Sequence, residues 1–127
     1  MENIITGEVT GGNKLGRRLG FPTANLRVSE DWPARNGVYA ARVETENGTY
    51  EAMANLGHKP SVAGNGARVL EAHLFGFAGD LYGKTITVTL LDFIRPEERF
   101  DSFDALREAL ARDKEAAGNI FRGGGTR

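Results

Sequence analysis

The sequence predicts an all-β domain that ends in a single α-helix. Short segments that alternate between apolar and polar residues run through most of the chain, as is typical of strands with one buried face. The 17 glycines are scattered between these segments rather than gathered in one linker, which favours many tight turns. Helical periodicity is confined to the C-terminal part. Five or six strands joined by short turns indicate an antiparallel barrel or sandwich.

The N-terminal part is predicted to begin with a strand and a long polar loop. We expect a strand over residues 4–9 and a glycine-punctuated loop over residues 11–20. Residues 21–28 should be extended, because Pro22 biases Phe21 away from helical dihedral angles. The loop therefore connects two extended segments.

A tight hairpin and a second loop organise the middle of the chain. Asn47-Gly48 favours a tight hairpin turn between strands at residues 37–44 and 50–56. A proline and two glycines predict a loop over residues 57–67. The later predicted strands cover residues 68–77 and 85–94.

The C-terminal helix is predicted by apolar residues at helical spacing. Four of them fall on one stripe: Phe103, Leu106, Leu110 and Ala117. Asp101 or Ser102 can cap the N-terminus, and the helix should end near Gly118, because glycine commonly follows a last helical turn. We expect one domain over residues 1–120 and a flexible tail over residues 121–127.

Composition argues against several classes of protein. The net charge of −1 creates no overall field toward nucleic acid or anionic lipid, and the chain has no cysteine for disulfides, thiolate nucleophiles or metal ligands. Residues 1–6 lack the basic and apolar regions of a secretion signal, and no apolar run reaches membrane-spanning length. We therefore expect a cytoplasmic protein that binds neither nucleic acid nor membrane. We also expect a monomer.

The loop over residues 11–20 and the segment after it form a local basic patch. Residues 11–28 contain no acidic side chain. The basic residues there are Lys14, Arg17, Arg18 and Arg27. Glycines let backbone amides approach an anion closely, and the basic side chains add charge. The spacing matches neither the phosphate loop of nucleotide hydrolases nor the dinucleotide-binding fingerprint, so this pattern alone leaves open both a solvated loop and a phosphate site.

Several short blocks follow one another along the chain in a characteristic order. They are residues 7–9 (GEV), Gly12, 16–25 (GRRLGFPTAN), 36–40 (NGVYA), 70–74 (LEAHL), 79–84 (GDLYGK), 93–97 (FIRPE) and 100–102 (FDS). Together these blocks resemble the riboflavin kinase family, over roughly residues 4–117. Two positions depart from common family patterns: Ser61 stands where threonine often follows the proline, and Gly76 where a larger polar residue is frequent.

The resemblance implies a six-stranded antiparallel Greek-key β-barrel crossed by a C-terminal helix. It also implies that the Thr23 hydroxyl and the Asn25 side-chain carbonyl bind Mg²⁺, or another divalent ion such as Mn²⁺ or Zn²⁺. Residues two apart in an extended segment share a face, and hard oxygen donors suit Mg²⁺. ATP is expected beneath the basic loop. The expected ATP contacts are Gly12, Lys14, Gly16, Arg17, Leu74, Gly76 and Tyr82.

Glu71 is implied to be the catalytic base. It lies in the middle of the strand predicted over residues 68–77, on the face that also carries Val69 and His73. A carboxylate at such a position is either exposed on the outer wall of a barrel or points inward to perform a reaction. We expect His73 to be a packed or supporting histidine rather than a metal ligand.

The flavin pocket is implied to lie between the Arg-Pro-Glu segment and the C-terminal helix. Its implied lining residues are Arg95, Glu98 and Ala105. A surface ion pair with Glu97 or Asp101 is the alternative interpretation of Arg95.

The function implied by the resemblance is transfer of the γ-phosphate of ATP to the 5′-hydroxyl of riboflavin, giving FMN and ADP. A non-catalytic flavin or FMN carrier or sensor is the first alternative, and an oligonucleotide-binding barrel is a more distant one. The second family activity, FAD synthesis, is not expected, because the chain has only two histidines, His58 and His73, both within the kinase region.

Overall fold

A computed structural model describes residues 3–11, 15–61 and 64–123. These residues form six strands, one single-turn helix and one long helix. In chain order the elements are β1 (Ile4–Glu8), α1 (Leu15–Arg18), β2 (Ala24–Arg27), β3 (Gly37–Thr45), β4 (Gly48–Ser61), β5 (Gly64–Leu74), β6 (Thr85–Arg95) and α2 (Phe103–Phe121). No helix in the described part of the chain is long and apolar enough to cross a membrane.

The six strands form one antiparallel sheet in the order β1-β6-β3-β4-β5-β2. Strands β3, β4 and β5 follow one another as neighbours, and β6 returns to pair with β3. This arrangement is a Greek key. The predicted barrel with a C-terminal helix is therefore confirmed.

The barrel is nearly closed where its two edge strands, β1 and β2, meet. The only ladder contact between these edges in the described ranges is the bridge between Thr10 and Asn25, where the Thr10 N–H donates to the Asn25 carbonyl at 2.8 Å. We call this junction the seam. Residues 11–23, which include the whole loop over residues 11–20, join these two edges along the chain.

The barrel interior is filled by alternate residues of every strand. Strand β6 shows the pattern clearly, because Ile86, Val88 and Leu90 are buried while their neighbours are more exposed. The face of β5 opposite Glu71, which carries Leu70, Ala72 and Leu74, belongs to the same core. Burial of each large side chain contributes about 1.5–3 kcal/mol, so this face fixes the register of the sheet.

Helix α2 covers part of the outer wall of the barrel. Ala117 of the helix is fully buried against Ala40 and Met53, with Phe75 and Phe121 packed around them. The Ser102 side chain caps the helix by accepting a hydrogen bond from the Ala105 N–H at 3.1 Å. The sheet thus has two apolar faces here, one inside the barrel and one under the helix.

The predicted end of α2 near Gly118 is wrong, because the helix continues through Phe121 to a C-cap at Arg122. The glycine that ends it is Gly123, whose φ of 80° is the left-handed geometry that follows many helices. Phe121, expected to begin a flexible tail, packs against the barrel. Residues 124–127 of that tail lie outside the described residues.

The predicted loop over residues 57–67 is also wrong. Strands β4 and β5 cover its described residues, 57–61 and 64–67, with Gly57 paired to Val69 and His58 to Arg68. Pro60 lies at a register shift, where the ladder tolerates a residue without an N–H donor. The buried Arg68 guanidinium stabilises the extended strand, because it donates hydrogen bonds to the carbonyls of residues 29, 32 and 34 and to the Asn36 side chain.

Candidate active site

Two cavities meet at the segment that precedes β2. The larger, of about 620 Å³, lies at the seam and is bordered by β1, α1, β2, the end of β5 and the β5–β6 connection. The smaller, of about 140 Å³, lies between the outer wall of the barrel and α2. We call them the seam cavity and the helix cavity. Thr23 borders both of them.

The seam cavity contains three of the predicted ATP contacts. Arg17 of α1, Leu74 at the end of β5 and the exposed Tyr82 of the β5–β6 connection all line it. Arg17 is the one basic residue among the described lining residues, and Asp80 is the one acid. The Asp80 carboxylate accepts a hydrogen bond from the Tyr82 N–H at 2.9 Å, which shapes this turn.

The other four predicted ATP contacts are placed differently. Gly76 lies in the turn after β5 with a φ of 74° and is not among the lining residues of the seam cavity. Gly16 lies in α1. Gly12 and Lys14 fall outside the described residues.

Thr23 and Asn25 bring two side-chain oxygens together at the seam cavity. The Thr23 hydroxyl donates a hydrogen bond to Asn25 Oδ1 at 2.9 Å, and Asn25 is only 4% exposed. Adjacent oxygen ligands of an octahedral Mg²⁺, each about 2.0–2.1 Å from the ion, are about 2.9 Å apart. The pair therefore fits two neighbouring positions around such an ion. The described residues contain no cluster of three or more His, Asp or Glu side chains that would hold a metal instead.

Glu71 stands in a row of polar residues that crosses three strands. It is the direct cross-strand partner of Asn25 on β2 and of Asn55 on β4. Such partners share a face and have Cβ atoms about 5 Å apart. Glu71 is half-buried and lines the helix cavity. Glu71 therefore lies on the outer wall of the barrel, where part of α2 covers it, and its role as catalytic base stays a prediction.

His73 lies two residues further along the same face of β5. Its Nδ1 is 2.7 Å from the Pro22 carbonyl oxygen, immediately before Thr23. The rings of Phe21 and Phe75 meet the imidazole edge-on at 5.5 and 5.7 Å. Burial lowers the pKa of His73 below its usual 6.5, and the charge of Lys114 lowers this pKa further. The expected supporting role agrees with these contacts.

Two buried polar atoms in the helix cavity have no hydrogen-bond partner among the described residues. They are Asn55 Oδ1 and His73 Nε2. Buried polar atoms are almost always hydrogen-bonded in native proteins, so these two atoms are candidates for hydrogen bonds to a ligand. No sequence signal pointed to Asn55, because an asparagine in a strand has no pattern of its own.

Arg95 is held by a residue of α2. Its guanidinium donates to both carboxylate oxygens of Asp113, at 2.9 and 2.8 Å, and this pairing raises the Arg95 pKa. The partner is therefore neither Glu97 nor Asp101, since the helix direction brings Asp113 over the end of β6. Glu98 is 4.0 Å from the same guanidinium. Arg95, Glu98 and Ala105 line neither cavity, although Asp113 lines the helix cavity.

A family profile and the curated relatives of this chain agree on one family. The family profile described as flavokinase, riboflavin kinase, matches residues 2–121. A bifunctional riboflavin kinase/FMN adenylyltransferase of Pseudomonas fluorescens is 42% identical over 113 residues, which are 89% of this chain and 36% of that protein. An RNA-binding riboflavin kinase of Bacillus subtilis is 41% identical over 110 residues, which are 87% of this chain and 47% of that protein. The chain thus spans less than half the length of either relative.

Solved structures share the barrel-and-helix architecture. A Streptococcus pneumoniae crystal structure, described as a macrolide-efflux protein, aligns with a TM-score of 0.77 and 42% identity over 91% of this chain and 38% of that one. The riboflavin kinase of Trypanosoma brucei aligns with a TM-score of 0.66 and 23% identity over 94% of this chain and 79% of that one. The second likeness speaks to the fold alone.

Proposed function

The chain belongs to the riboflavin kinase family, and we propose that it is itself an ATP-dependent riboflavin kinase that makes FMN and ADP. One observation carries the proposal: Thr23 lies in the wall of both cavities and holds one of two neighbouring oxygens there. A phosphate donor in one cavity and a hydroxyl acceptor in the other would meet beside this oxygen pair.

ATP is assigned to the seam cavity. Its volume of about 620 Å³ suits a nucleotide, since small-molecule sites span about 300–1,000 Å³. Arg17 supplies positive charge for the phosphates, while Leu74 and Tyr82 supply apolar and aromatic surface for the nucleoside. Four further residues are assigned to this nucleotide site from the family resemblance alone: Gly12, Lys14, Gly16 and Gly76.

A divalent ion is assigned to the oxygen pair of Thr23 and Asn25. When bound, it offsets the negative charge of the phosphates during phosphoryl transfer. Both ligands are neutral, so they leave the full charge of the ion to the nucleotide. Their hard oxygens suit Mg²⁺ and Mn²⁺, whereas Zn²⁺ favours nitrogen and sulfur ligands. We therefore rank Zn²⁺ last.

Riboflavin is assigned to the helix cavity, with its terminal hydroxyl toward Thr23 and Glu71. The Glu71 carboxylate takes the hydroxyl proton as the oxygen bonds to the γ-phosphorus, while the bond from that phosphorus to the bridging oxygen breaks and ADP leaves. A positioned general base of this kind contributes about 10²–10⁴-fold in rate.

The isoalloxazine ring is assigned to the surface around Arg95, Glu98 and Ala105. The helix cavity is too small for the ring, at about 140 Å³, but Asp113 in its wall is the partner of Arg95. This pair connects the cavity to the Arg-Pro-Glu segment. Ala105, near the start of α2, is assigned to this surface from the family resemblance alone.

The test is a direct assay of the purified chain. With riboflavin, ATP and Mg²⁺, FMN and ADP should appear in equal amounts by chromatography, and omission of ATP or chelation of the ion should abolish both products. A flavin carrier would bind riboflavin tightly with no turnover under either Mg²⁺ or Mn²⁺. That outcome would overturn the kinase proposal.

We further propose that the chain acts in the cytoplasm as a monomer whose partners are riboflavin, FMN, ATP and ADP rather than nucleic acid. A charge of −1, with a local basic patch of four Lys and Arg residues and no acid over residues 11–28, supports small anionic ligands over a polynucleotide. Light scattering would test the monomer. A salt-dependent mobility shift with RNA would contradict the absence of a nucleic-acid partner.

A further inference from the structure

Two buried hydrogen-bond acceptors of the helix cavity have no donor among the described residues. Pro22 offers a carbonyl oxygen, which can only accept, so His73 Nδ1 must carry the proton that joins them at 2.7 Å. In the neutral ring this leaves His73 Nε2 with a bare lone pair, and His73 is only 7% exposed. Asn55 Oδ1 is likewise an acceptor. Neither atom has a partner among the described residues.

Further acceptors lie in the wall of the same cavity. Glu71 and Asp113 contribute carboxylates, although Asp113 is paired with Arg95, and the Thr23 hydroxyl already donates its proton to Asn25. The two unsatisfied acceptors therefore require an occupant that brings hydrogen-bond donors. A carboxylate or a carbonyl has none and would leave both lone pairs unsatisfied.

The spacing of the two acceptors suits a chain of hydroxylated carbons. Asn55 lies opposite Glu71, and His73 lies opposite Met53, so Asn55 and His73 are diagonal neighbours on one face. Such neighbours are about 7–8 Å apart at their backbones. The cavity volume of about 140 Å³ holds roughly four or five water-sized groups, which is a short chain rather than a ring system.

We propose that Asn55 Oδ1 and His73 Nε2 accept hydrogen bonds from two hydroxyl groups of a polyol chain, and that this pair selects substrates with a hydroxylated side chain. The proposal rests on the assignment of riboflavin to this cavity, where the ribityl chain would be the polyol. The same His73 ring is hydrogen-bonded to the Pro22 carbonyl, so the residue that binds the polyol also holds the backbone immediately before Thr23.

The experiment compares two ligands with the same flavin ring, riboflavin and lumiflavin, which has a methyl group in place of the ribityl chain. Their dissociation constants are measured by flavin fluorescence without ATP, so the readout does not depend on catalysis. Both constants are measured on the same preparation of each variant, so a loss of folded protein affects them equally and leaves their ratio unchanged. In the wild type riboflavin should bind much more tightly than lumiflavin.

Two substitutions separate the roles of His73. In His73→Asn the shorter amide keeps a donor near the Nδ1 position and removes the acceptor at Nε2. His73→Gln reaches the Nε2 position with an oxygen acceptor but loses the bond to Pro22. We expect His73→Asn and Asn55→Leu each to reduce the preference for riboflavin about tenfold, and His73→Gln to retain more of it. Met53→Leu changes the same wall without removing an acceptor, so its ratio should stay unchanged.

Equal losses for riboflavin and lumiflavin in Asn55→Leu and His73→Asn would overturn the proposal, since both residues would then act on the structure or the ring. An unchanged ratio in both variants would overturn it too, because ordered water would then satisfy the two atoms. If FMN is never formed but the ratio responds as expected, the kinase assignment fails while the polyol site stands.

Discussion

The ion pair between Arg95 and Asp113 joins the end of β6 to α2, and its removal should measurably loosen the helix. Asp113 is 3% exposed and receives two charge-assisted hydrogen bonds from Arg95. Asp113→Asn keeps the shape of the side chain. It removes the charge and turns one acceptor into a donor that faces a guanidinium N–H. The Arg95 charge is then left without its main partner.

The magnitude follows from what Arg95 retains. Breaking a fully buried pair typically costs about 3–5 kcal/mol of unfolding free energy. The Arg95 side chain is 21% exposed, still donates to the Pro96 carbonyl at 3.1 Å, and lies 5.6 Å from the Phe100 ring. Partial hydration and these contacts reduce the cost, and we expect about 2–3 kcal/mol. For a domain of this size that corresponds to a fall in Tm of roughly 6–15 °C.

The assay is urea and thermal unfolding followed by circular dichroism, with the m-value checked for constancy. Asp104→Asn is the matched control, because it removes the same charge from the same helix and breaks a pair with Arg107 in which the side chains are 86% and 52% exposed. That variant should lose about 1 kcal/mol or less. Equal effects of the two substitutions would refute the reasoning, since burial would then not distinguish the pairs.

Three further predictions concern the site. Thr23→Val should raise the Mg²⁺ concentration needed for turnover while leaving the Tm of the unliganded protein nearly unchanged. The control Thr6→Val, on an exposed face of β1, should leave both the Mg²⁺ requirement and the Tm nearly unchanged. Full activity of Thr23→Val at limiting Mg²⁺ would remove Thr23 as a ligand. Glu71→Gln should lower kcat by about 10²–10⁴-fold with riboflavin affinity preserved, and wild-type turnover would require a different base. The pKa of His73 in the folded protein lies below its ordinary 6.5, so the unfolded chain binds the proton first and the unfolding free energy falls as pH drops below 6.5. Urea unfolding between pH 7.5 and 5.5 should show a shallower decline of this free energy in His73→Asn than in the wild type. Parallel declines in the two proteins would contradict the prediction.

Local signals in the sequence were sufficient for the strands, the hairpin and the helix cap. Alternation separated the two faces of β5, and the Asn47-Gly48 pair indicated the turn between β3 and β4, whose two residues are Glu46 and Asn47. Ser102 was one of two candidate caps, and the structure selects it. Each of these features depends on residues close together in the chain, which is why the sequence alone could predict them.

Features that depend on distant contacts were missed. A proline and two glycines favoured a loop at residues 57–67, but pairing with β5 and the buried Arg68 favours continued strands. Gly118 favoured an earlier end of α2, but Phe121 packs against the barrel and the helix continues to it, so that Gly123 follows the last turn. The environment of Glu71 depends on α2 packing on the outer wall of the barrel, which no local pattern can reveal. The resemblance implied a pocket beside this helix, but no local pattern located the helix cavity.

The nearly closed barrel has a thermodynamic consequence at its seam. Strand β1 is paired with β6 along its length but reaches β2, in the described ranges, by the single Thr10–Asn25 bridge. The seam cavity is lined by Val9 and Thr10 on one edge and by Ala24 and Asn25 on the other, so a ligand bound there contacts both edges and holds them together. At a concentration 100 times its Kd, such an occupant adds about 2.7 kcal/mol to the unfolding free energy by mass action. Resistance of the N-terminal strand to proteolysis should therefore rise and fall with the nucleotide supply.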